Sequence, residues 1–441
     1  MRSLFLTNRF FWLFGGIAAL SALSFPFEWL FPLTKLLLGM ALLFVAADAF
    51  YLYAKRHLLS CQRCVGSALS LGDSNVVTLA VQNHSSTIPL FVTAVDELPL
   101  QFQERNFAIK AFLPAASRSV LRYELRPLMR GVYAFGHIHL FAQTSLGFIE
   151  RRFTFRQPQE VPVYPSVIQM RQYELIALRG VSETAGIKKV RRLGHSYEFE
   201  QIKNYTEGDD YRSINWKASG RRGSLMVNQY EDERSQQLFC LLDKSRVMNM
   251  PFGGMSLLDH AINTTLTISN IALKKQDRVG LLSFSDVLGS TLPADRGARQ
   301  LRKLLEALYR ERERTGEANY ELLYEAVRRL VHGRSLLLLF TNFESRYALE
   351  RVLPLLRRLN YLHLLVVVFF ENAEIRALAE EKPRNTLDLF RQAVARQFLE
   401  EKEEIRRLLL QYGIQTILTR PEDLSVSTIN KYLELKARGL I

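Results

Sequence analysis

Two apolar stretches at the start of the chain constrain its fold more than anything that follows. Phe10–Phe27 contains no charged residue and Leu36–Ala54 contains one, Asp48. Each approaches the roughly 20 residues that cross a bilayer as a helix. No small-residue cleavage site follows the first stretch, and the second comes straight after it, so a transmembrane hairpin is predicted in place of a signal peptide. Arg2 and Arg9 precede the first span and Lys55, Arg56 and Arg63 follow the second, whereas the turn around Pro26, Glu28 and Pro32 has only Lys35 at its edge. The positive-inside rule then puts both outer flanks, and everything after residue 60, in the cytoplasm. Asp48 lies about two turns from Lys55 and is expected to reach the interface, a structural role instead of a proton path.

Beyond the hairpin the chain reads as globular. Its 441 residues are 48% hydrophobic and 23% charged, which allows two to four folded units and argues against wholesale disorder or a fully embedded transporter. A formal charge of +14 favours anionic surfaces, lipid headgroups or nucleic acid. Three cysteines, Cys61, Cys64 and Cys240, exclude a disulfide framework. Cys61 and Cys64 form a CxxC, but a zinc ribbon needs two such pairs and a thioredoxin-type site needs a following helix, so the pair is read as structural.

From residue 66 to 165 short alternating stretches, Val76–Gln82, Leu90–Val95, Ala108–Leu113, Val120–Leu125, Val132–Phe141 and Phe148–Phe155, are punctuated by Asn, Ser, Pro and Gly. That pattern predicts an all-β, immunoglobulin-like sandwich. After about residue 237, apolar runs at Leu238–Leu242, Val279–Phe284, Ser335–Phe340, Leu364–Phe370 and Ile414–Leu418 alternate with helical segments. These predict a doubly wound α/β domain over 237–441, with any ligand at the carboxyl ends of its strands. The domain expectation is therefore a hairpin over 1–60, a sandwich over 66–165, a connecting segment over 166–236 and the α/β domain.

The connecting segment carries the most specific pattern: Gly194, Glu198, Phe199, Tyr205, Gly208, Asp209, Asp210, Arg212, Ile214, Asn215, Trp216 and Lys217, then Leu225, Tyr230, Glu231 and Glu233. This run resembles the signature of the bacterial family named domain of unknown function 58. The resemblance extends to the amino-terminal hairpin, the Arg130–Gly131 turn, the strand ending at Asp243 and the Asp277–Leu281 run. It implies a carboxyl-terminal von Willebrand factor A-like domain, an inner-membrane protein of the bacterial envelope and a MoxR-type AAA+ ATPase as partner, with no established chemistry.

Von Willebrand A domains often hold Mg²⁺ through D-x-S-x-S, a Thr from a second loop and an Asp from a third, a cage of hard oxygens. Here the resemblance gives degenerate candidates. Asp243 and Ser245 are present, Val247 has no oxygen, the second loop expected near Thr291–Gly297 lacks a clear hydroxyl, and Asn342 stands for the third-loop Asp. No metal or other cofactor is expected, though an acidic residue of a partner could dock beside Lys244 or Arg246. Among Glu198, Phe199, Tyr205, Gly208, Asp209, Asp210, Arg212, Asn215, Trp216 and Lys217 no nucleophile has an adjacent base, so no catalytic residue is assigned and the segment is read as a lock between domains or a docking site. An enzyme with its site in Gly194–Lys217 and a sensor of anionic lipid are the alternatives. P-loop, HExxH and EF-hand motifs are absent, and Lys188, Lys189, Arg191 and Arg192 are read as solvated or lipid-facing, without a nucleic-acid module. The expected function is thus a non-enzymatic, membrane-anchored assembly protein; the sequence does not reveal its oligomeric state.

Overall fold

The computed structural model describes residues 3–24, 27–55, 57–104, 107–179, 198–206, 209, 211–231 and 236–440. The chain divides into two compact units, Met1–Tyr164 and Pro165–Ile441.

In the first unit, strand β1 (Leu4–Leu6) leads into helix α1 (Asn8–Leu23), and helix α2 (Phe31–Ala54) packs against α1 on its return. Among the described residues only α2 is long and apolar enough to cross a membrane, with a mean hydropathy of 2.0, while α1 is a shorter apolar helix. An N-terminal membrane anchor follows from this composition. Ten further strands complete the unit: β2 (Leu59–Cys64), β3 (Leu69–Ser70), β4 (Asn75–Asn83), β5 (Leu90–Asp96), β6 (Ile109–Leu113), β7 (Arg118–Leu125), β8 (Gly131–Phe135), β9 (Ile138–Gln143), β10 (Ile149–Phe155) and β11 (Gln159–Tyr164). They form sheets ordered β1-β10-β9-β5-β6, β2-β4-β7 and β3-β11-β8. Inward residues alternate as the pleat requires, with Val77, Leu79 and Val81 of β4 and Ile138, Leu140 and Ala142 of β9 all buried.

Several expectations are corrected here. The predicted strand Val132–Phe141 is two strands in different sheets, because Gly136 and His137 turn the chain; a Cβ at Gly136 would lie 2.2 Å from the Glu97 carboxylate. The Cys61–Cys64 pair lies on β2, where period-two alternation buries Cys61 and exposes Cys64, so the two thiols face opposite ways. Burial pushes the Cys61 thiol up to about 12. Asp48 does not turn toward Lys55. It is fully buried and accepts hydrogen bonds from the Thr144 hydroxyl and from the backbone N–H groups of Phe148 (2.9 Å) and Ile149 (3.0 Å). Arg151 caps the end of the same helix by donating to the carbonyls of Leu52 and Lys55, where the helix dipole is negative. At the other end, Thr7 donates its hydroxyl to the Gly147 carbonyl (2.6 Å) as β1 pairs with β10.

The second unit opens with α3 (Val167–Arg179), then β12 (Glu198–Asn204), α4 (Trp216–Arg222) and β13 (Met226–Glu231). There follow β14 (Gln237–Asp243), the short pair β15 (Pro251–Phe252) and β16 (Met255–Ser256), α5 (Leu257–Lys274), β17 (Arg278–Phe284), β18 (Leu288–Asp295), α6 (Gly297–Arg310) and α7 (Tyr320–Leu330). The unit ends with β19 (Leu336–Phe340), α8 (Arg346–Leu362), β20 (Leu364–Phe370), α9 (Ala373–Glu380), α10 (Thr386–Gln411), β21 (Gln415–Thr419) and α11 (Leu424–Ala437). Six strands make one sheet, ordered β18-β17-β14-β19-β20-β21, parallel except for the antiparallel edge β18.

Alternate residues of β14 point into two separate cores. Leu238, Cys240 and Leu242 pack with residues of α5, α6 and α11, while Phe239 and Leu241 pack with residues of α7, α8 and α10. Helices thus cover both faces, which is why the parallel strands read as continuous apolar runs. Gly280 is required on β17, since a Cβ there would stand 2.3 Å from the Phe239 ring. At the amino ends of the strands, Asp277 accepts from the Gln236 N–H (3.0 Å), the Tyr432 hydroxyl and the Lys436 ammonium, which ties α11 to the sheet. That ionic latch explains the acidic start of the Asp277–Leu281 run.

Candidate functional site

The chain runs outward from β14 in both directions, to β17 on one side and β19 on the other, so loops diverge at the carboxyl ends of β14 and β19. Ligands of open α/β sheets bind at such a switch point. Asp243 ends β14 and is fully buried. One carboxylate oxygen accepts the Ser245 N–H (2.9 Å) and the other the Thr341 hydroxyl (2.7 Å), which lies 2.9 Å from the Tyr320 hydroxyl. Burial raises the Asp243 pKa against the opposing pull of these donors.

Lys244 and Asn342 are committed elsewhere. Lys244 forms a buried pair with Glu311 (2.8 Å), and Glu311 also accepts from the Ser283 hydroxyl (2.6 Å) and the Ser290 N–H (3.0 Å). Burial works to raise Glu311, but these donors outweigh it and hold the carboxyl below its ordinary value. Gly289 makes room for this arrangement, since a Cβ there would be 2.3 Å from the Lys244 nitrogen. Asn342 accepts from the Lys402 ammonium (2.9 Å), which also donates to the Phe343 carbonyl. Burial pushes Lys402 down to about 8, opposed by the charges of Glu401 and Glu344. Arg246, at the rim, pairs with the exposed Glu344 at 3.3 Å.

The loop that meets the end of β14 is 311–319, not 291–297. The Arg246 N–H donates to the Gly316 carbonyl and the Arg314 N–H to the Lys244 carbonyl, whereas Thr291–Asp295 is part of the edge strand β18. Two clefts flank the strand ends. One, of about 120 Å³, is lined by Asp243, Ser245, Val247, Glu317 and Tyr320, and the other, of about 290 Å³, by Phe252, Phe370, Ile375, Phe398 and Lys402.

The Ser245 hydroxyl is buried without a described partner, but most other oxygens that Mg²⁺ would draw on here are engaged. Both oxygens of Asp243 already accept internal hydrogen bonds, the third loop offers a neutral amide holding an ammonium, and Val247 contributes nothing. Among the described residues no cluster of three or more His, Cys, Asp or Glu could hold an ion. A hard dication needs uncommitted carboxylate oxygens to offset its dehydration. Millimolar Mg²⁺ is therefore expected to leave the melting temperature of the detergent-solubilised protein unchanged, since a ligand of the folded state would raise it. A saturable rise that disappears in Asp243→Ala would overturn this.

The signature residues gather on a hairpin. β12 and β13 pair antiparallel, with Phe199 opposite Tyr230 and Glu198 opposite Glu231. The Tyr205 N–H donates to the Leu225 carbonyl (2.8 Å). Lys203 pairs with Asp209 (2.7 Å), whose carboxyl is held down to about 2, first by Lys203 and then by Thr206. Asn215 caps α4 by accepting the Ala218 N–H (3.0 Å) and donates to Asn228 (2.8 Å). Trp216 is 72% exposed at the first turn of α4, Tyr211 is 69% exposed, and Lys217 also faces solvent. Gly194, Gly208, Asp210 and the side chains of Glu198, Phe199 and Arg212 lie outside the described residues, as do Lys188, Lys189, Arg191 and Arg192.

A curated relative, the uncharacterized protein YeaD of Bacillus subtilis, is 25% identical over 243 residues, 54% of this chain and 58% of that protein. The chain thus matches little more than half the length of that relative. Among solved structures, the conserved hypothetical protein BatB from Bacteroides thetaiotaomicron aligns over 46% of this chain and 100% of its own, at 11% identity and a TM-score of 0.31. A CARDB domain from Pyrococcus furiosus aligns over 24% of this chain and 86% of its own, at 14% identity and a TM-score of 0.17. Scores this low assign no fold. The sequence match is firmer: residues 201–380, from the β12–β13 hairpin through the central strands to α9, match the family described as protein of unknown function DUF58.

Proposed function

We propose that the chain is a non-enzymatic assembly protein of the bacterial inner membrane, anchored by two helices, whose cytoplasmic von Willebrand A-like domain recruits a protein partner of the MoxR-type AAA+ ATPase class. The observation that carries the reading is Trp216, 72% exposed on a helix whose cap is fully formed. A solvent-facing Trp beside Lys217, Arg221 and Arg222 has the composition of an interface hot spot.

Other features support the remaining parts of this reading. The residue before α1 and Asp48 near the end of α2 are both bonded to the turn between β9 and β10, as a hairpin with both outer flanks on one side requires. Seventeen residues of α2, Phe31 to Val45 plus Ala46 and Ala47, precede Asp48, close to the 16 of α1. At 1.5 Å per residue both rise about 25 Å, a near match to a hydrocarbon core when each is extended by its flanking apolar residues. The alternating strands of the first unit suit an immunoglobulin-like sandwich. The sheet with one antiparallel edge suits a von Willebrand A-like domain.

The test is Trp216→Ala in the full chain. Its melting temperature is expected to stay within about 1 °C of the parent, because little surface is unburied. Co-purification of an AAA+ ATPase from detergent-solubilised membranes of the source bacterium, identified by mass spectrometry, is expected to fall at least about 30-fold, the size of a 2 kcal/mol hot spot. Undiminished ATPase recovery would sink the docking role of Trp216, and a large loss of stability would return the residue to an architectural one.

A further inference from the structure

Helix α10 carries an apolar stripe that no described residue of the second unit covers. Leu387, Phe390, Val394 and Phe398 recur at helical spacing on one face and are 57%, 68%, 36% and 46% exposed. The opposite side is fixed: the Gln392 amide donates to the carbonyls of Ala379 (3.0 Å) and Glu381 (2.8 Å), and Ile405 and Leu409 enter the core. The stripe therefore points outward on a held helix. Phe398 at its far end also walls the apolar cleft of Phe252, Phe370 and Ile375.

Charge along the helix is uneven. Exposed Lys382, Arg384, Arg391 and Arg396 surround its first half, and Glu400, Glu401, Glu403 and Glu404 crowd its second, where Arg406 pairs with Glu403 and Arg346 with Glu404, leaving Glu400 the acid nearest the stripe. We propose that the occupant of this face is α10 of a second copy of the chain, packed antiparallel about a two-fold axis midway between Leu387 and Phe398. In that register Leu387 of one copy lies opposite Phe398 of the other, next to the apolar cleft. Lys382 and Arg384 then stand beside the acidic run of the second copy. The same patch meets itself, as a two-fold interface requires. Between Leu387 and Phe398 the stripe runs about 17 Å, three turns of helix–helix contact. A parallel pair would oppose like charges instead. An anionic bilayer would meet the acidic run and Glu380 and Glu381 on the neighbouring helix end, so the charge pattern favours the second copy.

Cysteine crosslinking in isolated membranes tests this with the full chain. Cys61 and Cys240 are buried and Cys64 is exposed, so Cys64→Ser supplies the background. Val394→Cys, near the axis, is expected to give a dimer-sized band with a short bis-maleimide. Tyr361→Cys, on α8 and 90% exposed, is expected to give none. Adding Phe390→Asp should cut the crosslink at least tenfold with an unchanged melting temperature, since Phe390 is a surface residue. Arg384→Glu should weaken it, and the pair Arg384→Glu with Glu400→Arg should restore it by inverting the charges on both copies. Absence of the Val394 crosslink, or its persistence in Phe390→Asp, overturns the proposal. So does a monomer whose Val394→Cys fluorophore shifts to the blue only in anionic nanodiscs, which would make lipid the occupant.

Discussion

Asp96→Ala is expected to destabilise the first unit by about 3–5 kcal/mol, the cost of leaving a buried charge without its partner. The Arg63 and Asp96 side chains are 1% and 0% exposed. Arg63 grips Asp96 with two guanidinium nitrogens, one of them at 3.0 Å, and donates also to the carbonyls of Gln157 (2.9 Å) and Gly136 (3.1 Å). The guanidinium stacks over the Phe135 ring, 5.0 Å from its centroid, and Asp96 takes a further hydrogen bond from the Tyr123 hydroxyl at 2.5 Å. Burial and the negative charge of Asp96 both push that phenol far above its ordinary value, so it stays a donor at any working pH. Without Asp96 the guanidinium keeps only neutral acceptors and Tyr123 loses its partner. The melting temperature should fall on the order of 10 °C. Arg63→Met with Asp96→Leu should cost less than Asp96→Ala alone, because removing both charges also removes the desolvation penalty. A single variant that loses under about 1 kcal/mol, or a double variant that loses the sum of two singles, would show that the pair is not coupled.

How much of this could be read in advance depends on how far apart the interacting residues stand in sequence. Period-two alternation gave most strands of the first unit, and continuous apolar runs gave the five parallel strands of the second within a residue or so. Strand β18 was missed because Leu288–Asp295, with Gly289, Ser290 and Pro293, reads as a loop; its strand character comes from pairing with β17. Arg63 looked like a flank of the membrane span and Asp96 was not singled out, since nothing local couples residues 33 apart. The same holds for Lys402 and Asn342, 60 apart: a helix-face charge in sequence becomes the cation that fills the third loop of the candidate site. The exposure of Trp216 was illegible for a different reason. Aromatic residues are usually buried, and mixed charge around one suggests a sealed network, but Asn215 starts a short helix that turns the indole to solvent. The signal available in sequence was the Asn-Trp-Lys-Ala order itself, a helix cap followed at once by its first turn.

Asp48→Leu is the sharpest case, because composition and structure predict opposite signs. An acidic residue in an apolar helix is costly in a bilayer, so a leucine in its place should favour the spanning helix by about 3 kcal/mol if the carboxylate merely tolerated its surroundings. In the structure Asp48 is fully buried and satisfies the Thr144 hydroxyl and the N–H groups of Phe148 and Ile149, three donors in the turn that leads into β10. Leucine would strand all three in a buried site, at about 1–3 kcal/mol each. The expected net loss is about 3–5 kcal/mol once partial relaxation of the turn is allowed. Asp48→Asn should fall between, since its amide oxygen can accept while its NH₂ group confronts donors. Thermal melts of the detergent-solubilised full chain should rank Asp above Asn above Leu. Protease sensitivity of the 144–149 turn should rise in the same order, as the end of α2 lets go of the strands it holds. Leucine ranking first would mean that the carboxylate answers to the bilayer and not to the turn, and that the helix pair and the β strands are joined by little more than the chain itself.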